Sequence, residues 1–349
     1  GSLNLISLAV ARDLAVECRR QVLSGLDPIE ERGRVRRIKQ LEQARSITFK
    51  EAADQCIASK KPEWKNAKHA QQWSNSLTTY AFPIFGNLCS SDLNTDLVLK
   101  AIEPIWITKA ETASRVRQRI ETVWDWARAR KYDEGENPAC LRGHLDKILA
   151  KTSKVKRVKH HPALPYTQIG SFISKLRKRN GSTALALEFM ILTAARTDEV
   201  RGARWRVIDL AAKLWIIPAD RMKAGKEHRV PLCERAVEIL VSLNSNQNPA
   251  DFLFPGWKTG TGLSDGAMLA LMRKMDMSQY TPHGFRSSFR DWASEKAYQF
   301  SNECVEQALS HSIKNRVEAA YRRTDLLERR RQLMTAWNQY IEFCRTNED

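Results

Sequence analysis

The spacing of apolar positions divides the chain into mainly helical blocks. Ser7 can cap a helix running through Leu8, Val10, Leu14 and Val22, and Gly25 supplies the left-handed residue that would end it. Asp27-Pro28 opens a second segment, and the charged stretch 30–45 reads as a solvated helix. Thr48-x-x-Glu51 and Thr108-x-x-Glu111 both fit the capping box, in which two side chains satisfy the orphan amides of a first turn. Helical patterns follow over 49–59, 67–80, 96–105 and 109–131, which predicts an all-helical module over 48–150. Trp64, Trp73, Trp106, Trp124 and Trp126 belong mostly to its core on this reading.

After that module the apolar residues thin out. Lys151, Lys154, Lys156, Arg157 and Lys159 precede His160-His161-Pro162 and Pro165, so 151–162 reads as an extended, basic linker. Two helical patterns, 168–178 and 183–193, lead into three strand-like stretches, Val207–Leu210, Leu214–Pro218 and Arg229–Leu232. Helical spacing resumes over 234–243, 265–275, 282–296, 303–310, 317–322 and 326–343. Along the last of these Leu326, Leu333, Trp337 and Ile341 share one face while the arginines point elsewhere. The fold class expected is mainly α with a small antiparallel β-sheet, a helical domain followed by a mixed α/β domain.

Charge sharpens this picture. The chain carries 57 Lys and Arg against 40 Asp and Glu, a formal net charge of +17. Such an excess favours a polyanionic partner, because neutralising phosphates releases counterions. RNA-binding, ribosomal and membrane-surface proteins share that signal, so it does not select DNA. The seven cysteines (Cys18, Cys56, Cys89, Cys140, Cys233, Cys304, Cys344) contain no CxxC pair and read as reduced, mostly buried thiols of a cytosolic protein. No apolar run approaches the roughly 20 residues of a membrane span, so no membrane partner is expected. Gly1-Ser2 without a Met reads as a cleavage remnant, which implies a start inside a longer protein. No Walker loop, carboxylate pair or metal-ligand cluster is visible, and His160-His161 lacks further ligands. No cofactor and no metal are expected.

Several polar residues fall at element ends. Arg196 directly precedes Thr197, a good N-cap for the turn 198–200. Thr281-Pro282 is an N-cap followed by Pro at the first helical position, and His283 and Arg286 then share a helix face. Lys223 lies in a turn between two strands, His311 follows a short helix, and Tyr321 lies in the helical stretch 317–322. Each alone has an ordinary reading as a solvated charge or a packing ring. Their order changes that. Leu192-Thr-Ala-Ala-Arg196-Thr-Asp-Glu199-Val200, Met222-Lys223, Thr281-Pro-His283-Gly-Phe-Arg286, Leu309-Ser-His311 and Ala319-Ala-Tyr321-Arg322 together resemble the tyrosine recombinase family. That family's catalytic set runs Arg, Lys, His-x-x-Arg, His or Trp, then Tyr. The wording Arg204-Trp205, Val230-Pro231-Leu232 and Ser287-Ser-Phe-Arg-Asp-Trp292 is similar to integrases of prophages and genomic islands. Residues 7–12 and 25–28 resemble the end of that branch's arm-binding domain, whose opening strands are missing here.

The resemblance implies a site-specific DNA recombinase that cleaves and rejoins strands through a 3′-phosphotyrosine on Tyr321, to integrate or excise a mobile element. Arg196 and Arg286 would clamp the phosphate, with His311 as a third donor. His283 would take the Tyr321 proton, Lys223 would protonate the departing 5′ oxygen, and Glu199 would orient the cluster or serve as a cap. It further implies a remnant arm-binding region and basic linker helix (1–47), a core-type DNA-binding domain (48–150), the linker (151–162) and a catalytic domain (163–349) whose last helix serves subunit contacts, the alternative being that its apolar face packs back on its own domain. Lys151, Lys154, Lys156, Arg157 and Lys159 would cross the DNA phosphates between two domains gripping the duplex, the alternative being a solvated tether with no contacts. The implied partners are double-stranded attachment sites, a homotetramer on DNA, and accessory DNA-bending or directionality proteins, in the cytoplasm and on the nucleoid. A type IB topoisomerase would use similar chemistry, but the arm-domain remnant and the Arg-rich last helix argue against it. A non-catalytic basic DNA-binding protein fits the composition, yet nothing in it requires the ordered six-residue set.

Overall fold

The structure is a computed structural model that describes residues 6–64, 67–151, 162–243, 248–311 and 324–346. The chain forms two compact units, Gly1–Val158 and Lys159–Asp349. No helix among the described residues is long and apolar enough to cross a membrane.

The first unit opens with α1 (Leu8–Leu23) and α2 (Pro28–Arg45). Ser7 Oγ accepts from the Val10 amide at 3.3 Å, as its position predicts. Gly25 ends α1 at φ 81°, with its own amide bonded to Val22 O and the Leu26 amide to Gln21 O. That is the glycine-terminated Schellman motif, and glycine is needed because a Cβ strains a left-handed residue. No residue of α1 is buried. The core is built instead from α3 (Phe49–Lys60), α4 (Ala67–Tyr80), α5 (Phe82–Phe85), α6 (Thr95–Trp106) and α7 (Ala110–Ala129). The capping box at Thr48 forms with both of its bonds. The one expected at Thr108 does not. Lys109 is the N-cap of α7, and the Thr108 hydroxyl turns back to Pro104 O because the chain is still finishing α6 there. Trp106 and Trp124 are buried, while Trp64, Trp73 and Trp126 pack half-buried against the core. Arg119 and Arg130 lie over the Trp73 and Trp126 rings at 5.6 and 4.5 Å.

In the second unit α8 (Ile169–Arg177) and α9 (Ser182–Thr193) precede the short α10 (Thr197–Arg201). Helix α9 is apolar on nearly every side (Ala184, Ala186, Leu187, Phe189 to Leu192) and runs through the middle of the core. Such a helix is stable only when enclosed. Its buried Glu188 is ion-paired by Arg177 of α8 and by Arg235, at 2.8 and 2.9 Å. A three-stranded antiparallel sheet follows in the order β1 (Ile208–Asp209), β2 (Leu214–Ile217), β3 (His228–Pro231), with Trp215 opposite Val230 and Ile217 opposite His228. The first strand is shorter than its sequence suggests. The amides of Trp205 and Arg206 bond to Asp251 O and Pro249 O, and this draws 205–207 into a 3-10 turn.

Helices α11 (Glu234–Leu243), α12 (Ala267–Lys274), α13 (Gly284–Lys296), α14 (Asn302–Ala308) and α15 (Leu327–Thr346) complete the unit. Of the two readings open for the apolar face of α15, subunit contact or packing on its own domain, the structure has the second: Leu333, Met334, Trp337 and Ile341 are buried, and Trp337 Nε1 donates to Ile191 O at 3.0 Å. Gly170 of α8 permits this close approach, since a Cβ there would lie 2.5 Å from the Cys344 backbone. Not all the α15 arginines face solvent, because Arg330 is 1% exposed. The cysteines are free thiols; Cys56, Cys233 and Cys304 are buried, but the other four are half-buried rather than enclosed as expected.

Candidate active site

Helix α9 ends at Ala194, whose backbone is left-handed at φ 50°. The chain then reaches Arg196, which, rather than Thr197, is the N-cap of α10. The buried Glu199 closes this cap twice over. Its Oε2 accepts from the Arg196 amide at 2.8 Å and its Oε1 from Arg196 Nη1 at 2.7 Å. The two roles weighed for Glu199, cap and orienting group, are therefore one arrangement.

Arg286 approaches from the first turn of α13, 6% exposed. Its Nη1 donates to Ala194 O and its Nη2 to Leu309 O. Arg196 Nη2 donates to Ser310 O at 2.9 Å. The turn after α14 thus gives a carbonyl to each guanidinium. That turn is a Schellman terminator: the Ser310 amide bonds to Gln307 O at 2.9 Å and the His311 amide to Glu306 O at 3.0 Å. Ser310 occupies the left-handed position, φ 51°, that Gly25 fills after α1. Two non-glycine residues in left-handed backbone, Ala194 and Ser310, therefore supply carbonyls to the two arginines. Strained backbone of this kind persists where the surroundings impose it.

His311 follows directly. Its Nε2 lies 3.3 Å from Arg286 Nη2, and its Nδ1 lies 2.6 Å from Glu306 Oε2. Arg290, one turn beyond Arg286, donates from Nε to Glu306 Oε1 at 2.7 Å. Burial would raise the Glu306 carboxyl, but hydrogen bonds from His311 and Arg290 outweigh it and hold it below the usual range. Burial, and then the adjacent charge of Arg196, pull Arg286 down to about 10. It remains a cation at neutral pH, held beside another. His228, half-buried on β3, is pushed down to about 4 by burial and by Arg330, against Glu199 and a bond to the Ala308 carbonyl.

The structure therefore joins four residues read from sequence, Arg196, Glu199, Arg286 and His311, in one hydrogen-bonded cluster. Lys223 is exposed on the loop between β2 and β3, just after the buried Met222. His283 is exposed at the N-cap of α13. The expected cap residue lies there two positions before the N-cap: Thr281 Oγ1 accepts from the Gly284 amide at 3.2 Å, and Pro282 precedes the helix rather than starting it. Lys151 is exposed. Tyr321, the stretch 317–322 around it, Lys154, Lys156, Arg157, Lys159 and His160-His161 lie outside the described residues. Sequence reading missed Glu306 and His228. The five-residue step from Glu306 to His311 was the available signal for the first, since it spans a helix terminator. Chemically, two guanidiniums and an imidazole edge converging on one turn form a donor set for a multiply charged oxyanion.

Residues 49–144 match the phage integrase central domain and residues 164–327 match the phage integrase family. The chain is 30% identical to an integrase of Enterobacteria phage P4, over 97% of this chain and 79% of that protein. It is 29% identical to prophage integrase IntZ of Escherichia coli (strain K12), over 97% and 81%. Its fold is similar to that of a lambda integrase tetramer bound to a Holliday junction, with a TM-score of 0.62, 14% identity and 89% of each chain covered. It is similar too to the Tn1549 transposon integrase in complex with circular intermediate DNA, with a TM-score of 0.57, 15% identity and 80% and 96% covered. At such identity the structural likeness speaks for the fold alone, and the sequence matches speak for the family.

Proposed function

The chain belongs to the phage integrase family and is a site-specific tyrosine recombinase, and from that premise we propose that it cuts and rejoins DNA strands through a 3′-phosphotyrosine bond to Tyr321. The observation that carries this reading is the pairing of Arg196 and Arg286 on the 309–311 turn, two cations held together beside an imidazole. A phosphodiester in that position would relieve their mutual repulsion. The guanidiniums would grip its non-bridging oxygens, with most benefit when charge builds in the five-coordinate transition state. Glu199 fixes the direction of Arg196 and balances one charge.

Forming the phenolate of a free tyrosine at neutral pH costs about 4 kcal/mol. On this proposal His283 accepts the Tyr321 proton while phosphorus is attacked, and the 5′ oxygen leaves with a proton from Lys223. His311 donates to the phosphate beside Arg286. The bond energy is kept in the protein–DNA link until a 5′ hydroxyl of the partner strand attacks it and frees Tyr321.

We further propose that residues 48–150 supply a core-type DNA-binding domain, 151–162 a basic tether across the phosphates, and 163–349 the catalytic domain. The tetrameric lambda integrase on a Holliday junction supports a homotetramer on paired attachment sites, with accessory DNA-bending or directionality proteins as further partners. The deciding experiment uses a nicked suicide substrate. Wild type should become covalently attached and transfer strands between partners, whereas Tyr321→Phe should bind with equal affinity and form no adduct. A normal adduct with Tyr321→Phe overturns the assignment. Supercoil relaxation without strand exchange would indicate a topoisomerase, and binding without any adduct a non-catalytic protein.

A further inference from the structure

In a Schellman terminator the residue three from the helix end and the second residue beyond it are brought side by side, and an apolar contact commonly joins them. After α14 those positions are Glu306 and His311. Here the contact is polar, Glu306 Oε2 to His311 Nδ1 at 2.6 Å. An ionised carboxylate can accept but not donate, so the proton of this bond is on Nδ1. His311 Nε2 is then the ring atom turned to Arg286, 3.3 Å away. Glu306 is itself held from the other side by Arg290 Nε at 2.7 Å, and Arg290 Nη2 is tied to Asn302 Oδ1 at 2.7 Å. Carboxylate, imidazole and guanidinium thus form a chain from the outside of α14 to Arg286.

We propose that Glu306 is a positioning residue for His311. It takes the Nδ1 proton, fixes the ring plane, and so presents Nε2 to the phosphate that the two arginines hold. With Nδ1–H held by the carboxylate, a proton on Nε2 is the one turned to the anion. His311 is nearly half exposed, so packing does little to restrain its ring and the carboxylate takes that part. This inference rests on the reading of His311 as a phosphate-facing group, and the test separates the two.

Single-turnover cleavage of the suicide substrate and DNA affinity are measured for the full chain carrying Glu306→Ala, Glu306→Gln, His311→Ala and the Glu306→Ala/His311→Ala pair. Glu306→Ala should slow cleavage on the order of 10- to 100-fold, as loss of an orienting partner does elsewhere, with affinity unchanged. Glu306→Gln keeps an acceptor for Nδ1–H and should recover most of the rate. The double variant should be no slower than His311→Ala, because Glu306 acts through the ring. Cleavage at the wild-type rate by Glu306→Ala, in an enzyme that His311→Ala impairs, overturns the inference and leaves the site intact. Losses that multiply in the double variant overturn it as well, placing the effect of Glu306 in helix packing. If His311→Ala cleaves normally, the reading of His311 falls and this inference falls with it. Should Glu306→Ala fail to fold, imidazole nitrogen-15 shifts of wild type and Glu306→Gln decide the matter. Wild-type His311 must show its proton on Nδ1, and an Nε2-protonated neutral ring there overturns the proposal.

Discussion

His228 makes the stability of the second unit depend on pH in a direction the structure fixes. On β3 it is half-buried, its ring bonded to the Ala308 carbonyl and facing Arg330 and Arg196. Its folded value is about 4, against about 6.5 for an unfolded histidine. The folded state therefore keeps a neutral ring where the unfolded chain takes up a proton. The stabilisation is complete above pH 6.5 and is lost as pH falls from 6.5 towards 4. Linkage between those two values puts the loss at about 2 kcal/mol by pH 5 and about 3 kcal/mol by pH 4. The perturbation is His228→Gln, which keeps an amide donor for Ala308 O and cannot titrate. Urea unfolding of wild type and variant at pH 7.5, 6 and 5 gives the difference in stability at each pH. The wild-type advantage should shrink by about 2 kcal/mol from pH 7.5 to 5. A difference constant across that range would show that His228 protonates equally in both states, and the burial argument would fail.

The clamp should be intolerant of Lys, because a point charge cannot reproduce bonds that both arginines make from two nitrogens. Arg196→Lys and Arg286→Lys should each slow adduct formation on the order of 10²-fold, and full activity in either refutes the clamp at that position. Ala194→Gly should raise stability to urea by about 0.5–1 kcal/mol, because glycine removes the strain of φ 50° while keeping the carbonyl that Arg286 uses; unchanged or lower stability would mean the site does not strain that backbone. Trp337→Ala should cost about 3–5 kcal/mol, since the ring is enclosed by Phe289, Trp292 and Tyr340 and bonded to Ile191 O. By the same reasoning removal of 326–349 should unfold the second unit, and a truncated chain that melts normally but fails in synapsis would restore the intersubunit role.

Local chemistry was readable wherever a residue acts on its immediate neighbours. Ser7, Gly25 and the Thr48–Glu51 box perform the tasks their types suggest. The box at Thr108 failed because the preceding helix had not ended, and a motif four residues long carries no information about that. Arg196, Glu199, Arg286 and His311 were found through their order along the chain, and their meeting depends on contacts that span up to 114 residues. Glu306 escaped because α14 ends without glycine. Ser310 takes the left-handed position, so no glycine marks the terminator that brings Glu306 to His311. Arg330 lies off the apolar face of α15 in the sequence pattern, which gives no sign that it is enclosed. Its burial is possible because Asp325 and the Arg229 carbonyl satisfy it, and both partners lie outside its helix.

Those partners also bracket the segment that carries the proposed nucleophile. On one side, His311 is fixed by the terminator of α14 and by Glu306. On the other, Asp325 is held in bidentate fashion by Arg229 of β3, at 2.8 and 2.9 Å, and by the enclosed Arg330 of α15 at 2.9 Å. Asp325 is the carboxylate that faces the enclosed Arg330, whose remaining donors are taken by the Asp325 and Arg229 carbonyls. Strand β3, which holds Asp325, is the same strand that the Lys223 loop runs into. An in-line displacement needs the attacking and leaving oxygens on opposite sides of one phosphorus. On the proposed mechanism the donor to the leaving oxygen, Lys223, is carried by the loop that runs into the strand to which Asp325 is fastened.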